Sequence, residues 1–595
     1  NSASTGEKMK IQYNDPTGFV DSLTYRTEDV LYGGFYSYGW QYEAVRGVLN
    51  REDKTITALD DTKAGSESVQ TKGQFQVHNT LQALDEPGEW YYDRDQKLLY
   101  LYPYDQGGEL TVPGADFTLL RLDGVSNTTF SGISLQGSRE SAVTMKNCEN
   151  TVLDGCKIHQ IEKRAVLMNG VKNCGVRNSE LYNLGCGAVE ITNAGDYDSI
   201  GHSGVFVSNN TIHDFGLQQM IYADAVRLDY YTVGCRIDHN EIYNAYHEAI
   251  LAQGVDQIIE NNVFHDLCTN CTDAGVVYGG RDYSSHNIVI RNNWFYRINT
   301  NEIAGKYEGC AIFFDDGQSD VSAYGNIFGP GSARGTMIKV HGGQNLDFTH
   351  NLFVDTPNAC AFYLWSDAAF KANLTVTDPT NVRYIRLRKC WDNPLYQARW
   401  PWLKEVYEGV YDQKGCTFSN NILLYDEETS PGNTGWYHLL HSGDPVYGIN
   451  QSEGNTNRVI SAGAEEICLD PAANDWRLKE ETLASMPGFS QLPSPDELGP
   501  APYDRDGAMT LPGGERPSVS QVRFSQPPAA GGTVSAIYDF FGGTEGASRY
   551  EYYVYDSAAA TSGTLLSTYT TRNSCSIPEK YRGRWIRCRV IPVNS

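Results

Sequence analysis

Ten short segments along the middle of the chain repeat in one phase, and that repeat decides what the chain can fold into. They begin as Gly132-Ile133-Ser134-Leu135, Gly155-Cys156-Lys157-Ile158, Asn178-Ser179-Glu180-Leu181 and Asn209-Asn210-Thr211-Ile212. Asn240-Glu241-Ile242, Asn262-Val263-Phe264, Asn293-Trp294-Phe295, Asn326-Ile327-Phe328, Asn351-Leu352-Phe353 and Asn421-Ile422-Leu423 continue them. Apart from the last gap the spacing is roughly 22 to 33 residues, the period of a stacked repeat array. Asparagine suits such a turn because it tolerates left-handed backbone and can hydrogen-bond to its counterpart one coil away. The apolar residue closing each step supplies one inward side chain per coil, so stacking builds a continuous core. The stretches between are short and β-rich with polar turns, and no helical period of useful length appears. The pattern predicts an all-β chain built on a right-handed parallel β-helix. Such a solenoid offers one long outer face, which suits an extended polysaccharide.

The rest of the chain divides around the coils. Residues 1–115 lack the repeat and alternate as strands, for instance at 55–59 and 97–102, which predicts a β-rich subdomain packed on the solenoid. The coils and an irregular finish occupy 116–500, the expected catalytic domain. An insertion at about 355–415 carries Trp365, Trp391, Asp392, Trp400 and Trp402. Its length places it on one face, either at a binding site or over the end of the core. A linker rich in Pro, Gly and Asp follows at 500–516. Period-two strands at 519–524, 532–541, 549–555 and 584–590 then predict an immunoglobulin-like β-sandwich over 517–595. That module reads as a spacer or accessory interaction domain, in which Cys575 and Cys588 could bridge.

A formal net charge of −26 argues against nucleic acid, an anionic membrane surface or a strongly acidic polysaccharide as partner. A neutral glycan fits better, and the many Tyr and Trp residues suit sugar rings, although Tyr also favours strands for its own sake. The fourteen cysteines are scattered. Cys148, Cys156, Cys174 and Cys186 fall near equivalent turns, where buried thiols would stack in the core. Cys268-Thr-Asn-Cys271 has no second pair at zinc-finger distance, so neither a metal nor a cofactor is expected. No apolar run is long enough to span a bilayer, and Asn1 opens directly on polar sequence, as in a mature or trimmed chain.

Two acidic stretches carry the candidate chemistry. One runs from Asp266 through Asp273-Ala-Gly-Val-Val-Tyr278 to Arg281-Asp282; the other is Phe314-Asp315-Asp316-Gly317. Glycosidic cleavage needs one carboxyl to protonate the leaving oxygen and another to attack or to activate water. Asp273 and Asp315 are about 42 residues apart, slightly more than one coil. Neighbouring strands lie about 4.8 Å apart, so outward carboxylates on them could reach the separation of a retaining enzyme. Alternation puts Cys310, Ile312 and Phe314 inward and Ala311, Phe313 and Asp315 outward, leaving Asp316 to bend into the turn. Asp224 with Arg227, and His247 with Glu248, sit at a similar stage of earlier coils and could bind sugar hydroxyls. His341 could contact substrate from the far side. Asp-Gly and Asp-Ala-Gly are also ordinary turn formers, the plainer explanation. A calcium-assisted lyase would draw on Asp315, Asp316 and Asp320. No phosphate loop, nucleophile elbow or HExxH is present.

These pieces resemble bacterial right-handed β-helix carbohydrate enzymes, in particular glycoside hydrolase family 141. The matching stretches are Leu84-Asp-Glu-Pro-Gly-Glu-Trp-Tyr-Tyr-Asp93 with Leu99-Tyr100, the Asp273 and Gly280-Arg-Asp282 segment, Phe314-Asp-Asp-Gly317, and Trp400-Pro-Trp-Leu403. Together they span roughly residues 20 to 500. The resemblance implies a secreted or cell-surface hydrolase of plant or host glycans, with α-L-fucosidase and xylanase among the group's activities. It makes Asp273 and one of Asp315 and Asp316 the catalytic carboxylates; Asp266, Tyr278, Arg281, Asp282, Trp391 and Asp392 are the further substrate contacts expected beside them. Related β-helix lacto-N-biosidases would instead put the pair at Asp266 and Asp273. The opening coil usual in the group does not precede the first segment, which suggests a second chain or cleaved segment at that end. Three functions follow: a two-carboxylate glycosidase, a polysaccharide lyase, or a non-catalytic glycan-binding solenoid.

Overall fold

The computed structural model describes residues 8–60, 75–103, 112, 114–299, 309–331, 336–356, 358–363, 380–409, 414–425, 437–440, 457–486, 488–501, 518–524, 528–541, 548–557, 564–569 and 573–591. The chain forms two compact units, Asn1–Lys479 with Ser490–Pro500, and Glu480–Phe489 with Ala501–Ser595.

The first unit is a right-handed parallel β-helix. Three parallel sheets of eleven, eleven and ten strands run along it, each strand paired with its counterpart one coil away. The apolar residues of the repeat line up as one column: Leu135, Ile158, Leu181, Ile212, Ile242, Phe264, Phe295, Phe328, Phe353 and Leu423 are all in register. Its aromatic part is a ring stack, with centroids 4.8, 5.2 and 4.7 Å apart from Phe264 to Phe353. Val459 extends the column by a further coil that the sequence reading leaves as irregular.

The two roles assigned to one asparagine are split between neighbours. The left-handed residue comes first, as in Asn178, Asn209, Asn261, Asn292 and Asn420. The next residue turns its carboxamide inward, so Asn210, Asn240, Asn262, Asn293, Asn326, Asn351 and Asn421 are fully buried. Each amide oxygen in this ladder accepts the backbone N–H of the preceding coil's member, at 3.0 Å for Asn262 to Asn293 and for Asn293 to Asn326. In the first coil Leu120, Phe130 and Leu135 are only partly buried, while their partners Val143, Leu153 and Ile158 are fully enclosed.

Ahead of the coils lies a five-stranded sheet from Lys10–Gln12 to Phe75–His78, with its own core around Tyr32, Val45 and Ile56. It touches the solenoid just before Asp273. The Thr272 N–H donates to the Gly39 carbonyl at 2.8 Å, and a Cβ on Gly39 would meet the Thr272 hydroxyl at 1.9 Å.

The insertion is helical, against the expectation. Helices Val382–Trp391, Pro394–Arg399 and Leu403–Tyr407 follow a strand at Asn358–Tyr363, the first two capped by Asn381 and Asn393. Arginines interrupt the apolar stripe in the sequence, but Leu387, Cys390, Tyr396, Trp400, Leu403 and Val406 still form one core with Tyr197, Val233, Val255 and Tyr283. Trp365 lies outside the described residues.

No disulfide joins any of the fourteen cysteines, Cys575 and Cys588 included. Cys148, Cys156, Cys174, Cys268 and Cys271 belong to the solenoid core, whereas Cys186 is half-exposed and donates to Gln219. In the second unit, Ser518–Phe524, Thr533–Phe541 and Ser574–Ser576 form one antiparallel sheet and Thr564–Tyr569, Arg549–Tyr555 and Trp585–Ile591 another.

Candidate functional site

The second sheet builds the site by alternation. Val226, Ile250, Val277, Ile312 and Ile338 stand in register and point inward. Between them Arg227, Leu251, Tyr278, Phe313 and Lys339 form an outward row, and one step on Gly280, Asp315, His341 and Tyr363 form the next. Phe313 is outward yet covered, because the Tyr278 ring meets it edge-on at 5.5 Å and the Lys339 ammonium sits 4.2 Å from its centroid. At the strand's start the alternation slips: the core takes Ala311 rather than Cys310.

Asp315 is held from three directions. Its Oδ2 accepts the Tyr278 hydroxyl at 3.0 Å, and its Oδ1 accepts His341 Nδ1 and the Asp316 N–H, both at 2.9 Å. Asp316 is not a mere turn acceptor. In left-handed backbone it reaches Arg281 Nε at 2.6 Å and His341 Nδ1 at 3.3 Å. His341 therefore lies between two carboxylates rather than on a far side. Burial works against its charge, but hydrogen bonds to Asp315 and Asp316 prevail and push its pKa up to about 9. Burial likewise opposes the charge of Asp316, and His341 and Arg281 still hold its carboxyl below the usual range.

Asp273, also left-handed, ends the turn before Ala274–Gly280 and accepts Lys339 Nζ at 2.6 Å. The strand register corrects the expected pairing with Asp315. Ala274 pairs with Gly309, while the lateral neighbours of Asp315 are Gly280 and His341. Asp273 thus enters at one end of the strand and Asp315 stands beside the other, so the spacing of about 4.8 Å between neighbouring strands does not join them. Basic groups stand among the carboxylates: Lys339, Arg281 and His341 bond directly to Asp273, Asp316 and Asp315.

Deeper in the same face lies a buried acid pair. Asp224 Oδ2 accepts Arg227 Nε at 2.8 Å and Arg164 Nη2 at 3.3 Å. Its other oxygen, both Glu248 oxygens and both His247 ring nitrogens are buried without a hydrogen bond, the nearest approach being His247 Nδ1 to Glu248 Oε1 at 3.4 Å. A proton on Glu248 supplies the missing donor toward Asp224. Burial and the Asp224 charge raise the Glu248 pKa well above its ordinary value. Burial opposes the charge of Asp224, yet Arg227 and Arg164 keep its pKa low. Burial depresses His247 to about 4.

Tyr222 joins the parts. Burial raises its pKa to about 12, and the charges of Glu248, Asp273 and Asp315 all act on it in that direction. Its carbonyl accepts from Arg164 and Arg227 at 3.2 and 3.4 Å. Sequence reasoning missed Tyr222 and Lys339. Lys339 was detectable, because Thr336-Met-Ile-Lys-Val-His341 gives it the parity of His341; nothing in the sequence marks Tyr222.

Other expected site residues are elsewhere. Asp266 ends a strand of the first sheet, where Arg297 and His265 hold it and lower its pKa to about 2. Asp282 is buried, accepts Ser284 Oγ at 2.6 Å and meets Arg386 of the insertion at 3.4 Å. Trp391 lies against Tyr407, and exposed Asp392 pairs with Arg388. Asp320 does not join the other two aspartates; it accepts the Asn287 N–H, and burial pushes it up to about 6. Among the described residues, Asp315, Asp316 and His341 have ligand atoms within 4.8 Å of one another, with His341 Nδ1 next to both carboxylates. The first sheet's outer rings, His159-Tyr182-His213-Tyr243-His265-Tyr296, stack on each other at 4.6 to 5.2 Å. Their faces are therefore occupied, and the interior of this stack offers sugars only ring edges.

The fold is that of a right-handed β-helix protein. A family model described as a right handed beta helix region matches residues 118–295 and 199–378. No curated protein matches the chain. Among solved structures, the chain is similar to a glycoside hydrolase at 14% identity, covering 58% of this chain and 70% of that one with a TM-score of 0.42. A tailspike protein of E. coli bacteriophage HK620 in complex with a pentasaccharide gives 10% identity, coverages of 78% and 69%, and a TM-score of 0.30. A PL6 alginate lyase in complex with a trisaccharide gives 12%, 44% and 82%, and 0.17. No helix among the described residues is long and apolar enough to cross a membrane.

Proposed function

We propose that this protein is a carbohydrate-active hydrolase that cleaves a neutral plant or host glycan laid across the outer face of the second sheet. The observation that carries this reading is Asp315, an outward carboxylate fixed by Tyr278 and His341 on the face where Lys339 presents Asp273. A carboxylate whose lone pairs are aimed by fixed donors suits attack on, or stabilisation of, a sugar cation. Asp273, bonded to an ammonium, is the second carboxylate, and the charges of both aspartates act on Tyr222. This reading places the protein outside the cell, where such polymers occur.

The test is a panel of aryl glycosides and oligosaccharides with Asp315→Asn and Asp273→Asn. Each change keeps the shape and removes the charge, so binding is expected to persist while turnover falls by about 10² to 10⁴. Normal turnover in both variants would place the chemistry elsewhere. One observation favours a lyase as the second reading: Lys339, Arg281 and His341 stand among the aspartates, where a base and a cation could serve β-elimination from a uronate. Unsaturated uronate products from a uronic acid polymer, lost in Lys339→Met, would select it.

A further inference from the structure

The turn that leads into the strand Val226–Leu228 carries an exposed aromatic ring. Tyr222 is 41% exposed, although Ala223 and Asp224 after it are buried. Its backbone is left-handed, at φ 56°, a conformation that costs a tyrosine more than a glycine or an asparagine. Three donors fix it there: Arg164 Nη2, Gln219 Nε2 and Arg227 Nη2 reach its carbonyl at 3.2, 3.3 and 3.4 Å. Arg227 belongs to the outward row that continues through Leu251 to Tyr278, so it ties the turn to the face of the site.

The ring is seated on His247, with centroids 5.3 Å apart and 58° between the planes. Register then carries it to the candidate carboxylates. Ile250 pairs with Val277 and the Ala249 N–H donates to the Val276 carbonyl, so His247 stands beside Ala274, the neighbour of Asp273. Sealing buried His247 from water accounts for that seat. It does not account for the exposure that remains, or for a hydroxyl that makes no hydrogen bond among the described residues. Burial and the charges of Glu248, Asp273 and Asp315 raise the pKa of this hydroxyl to about 12, against Arg281, so it keeps its proton at neutral pH.

We propose that Tyr222 is the platform on which the site seats one neutral sugar ring. The C–H face of the sugar lies against the exposed part of the phenol ring, and a sugar hydroxyl bonds its O–H. The inference rests on the reading that the outer face of the second sheet is a glycan site. Tyr222 is a positioning residue there, and the chemistry belongs to the aspartates. A ring held on His247 by a turn that three donors fix needs no reordering when sugar arrives, which lowers the cost of binding.

The test uses the full chain with xylohexaose, galactotetraose and fucosyllactose, and reads each in two ways. Turnover is followed in the otherwise unaltered chain, and binding by calorimetry in Asp315→Asn, each with and without Tyr222→Phe or Tyr222→Asn. Asparagine accepts the left-handed backbone and keeps the carbonyl's bonds while removing the ring. Tyr222→Asn is expected to raise KM and Kd about tenfold with kcat little changed, as for an interaction made equally with substrate and transition state. Tyr222→Phe loses only the hydroxyl and should weaken binding about threefold. Affinity kept in Tyr222→Asn would overturn the proposal, and a lower melting temperature in that variant would then assign the ring to sealing His247. A fall in kcat with affinity kept would overturn it equally. Binding that weakens as expected, in a protein that turns over none of the three glycans, would refute the hydrolase and uphold the platform. Binding of none of them would refute both.

Discussion

Glu248→Gln and Asp224→Asn should have opposite effects, although the two residues are in contact and both are buried. Glu248 holds its proton because burial and the neighbouring Asp224 charge both oppose ionisation. Its folded pKa is raised, so its contribution is full below 4.5, its unfolded value, and is lost as pH rises. The loss grows by about 1.36 kcal/mol per pH unit while the folded group stays protonated, reaching at most about 3 kcal/mol by pH 7. Glutamine cannot ionise in either state and keeps a donor toward Asp224, so it removes that pH-dependent loss. Asp224→Asn instead strands Arg164 and Arg227, and breaking a buried ion pair costs about 3–5 kcal/mol. Thermal unfolding of the full chain across pH 4.5 to 8, read at the solenoid's transition, compares them. Glu248→Gln should match wild type at the acid end and equal or exceed it at pH 7, while Asp224→Asn melts lower throughout. If Glu248→Gln is as damaging at pH 7 as Asp224→Asn, Glu248 is ionised and the shared proton is refuted.

Asn293→Ala should cost about 3–9 kcal/mol, because it removes the acceptor for the buried Asn262 N–H and amide and the donor to the Ile259 carbonyl, at about 1–3 kcal/mol per stranded group. Thermal melts of the variant would check this, and an unchanged midpoint would mean that water replaces the ladder. His341, raised from 6.5 to about 9, contributes stability that is fully present below 6.5 and lost as pH rises through about 9. His341→Asn should accordingly flatten the alkaline limb of the stability profile, and an unaltered limb would show that the imidazole is neutral between Asp315 and Asp316.

The fold was legible because its repeat is also its physics. An apolar side chain every coil must enter the core, so the column from Leu135 to Leu423 could be read from spacing alone. The helical insertion was not legible, because Arg383, Arg386 and Arg388 interrupt its apolar stripe. Arg386 is buried beside Asp282 and over the Tyr230 ring, so a charge that reads as solvent-facing is an anchor.

The candidate site was legible only as far as side-chain parity reaches. Parity placed Asp315 outward, and the structure agrees, because Asp315 stands in the row with Gly280 and His341. Coil counting failed for Asp273, since two residues one coil apart in sequence become neighbours only when they occupy the same rung position. Asp273 precedes its strand and Asp315 ends the next, so their separation is set by strand length and by Lys339. The same limit applies to Asp266, whose seven-residue spacing from Asp273 looks local but crosses from the first sheet to the second. In a solenoid, position along the rung decides which groups share a face, and Asp315, Asp316, His341 and Arg281 meet because they stand at the same end of three successive rungs.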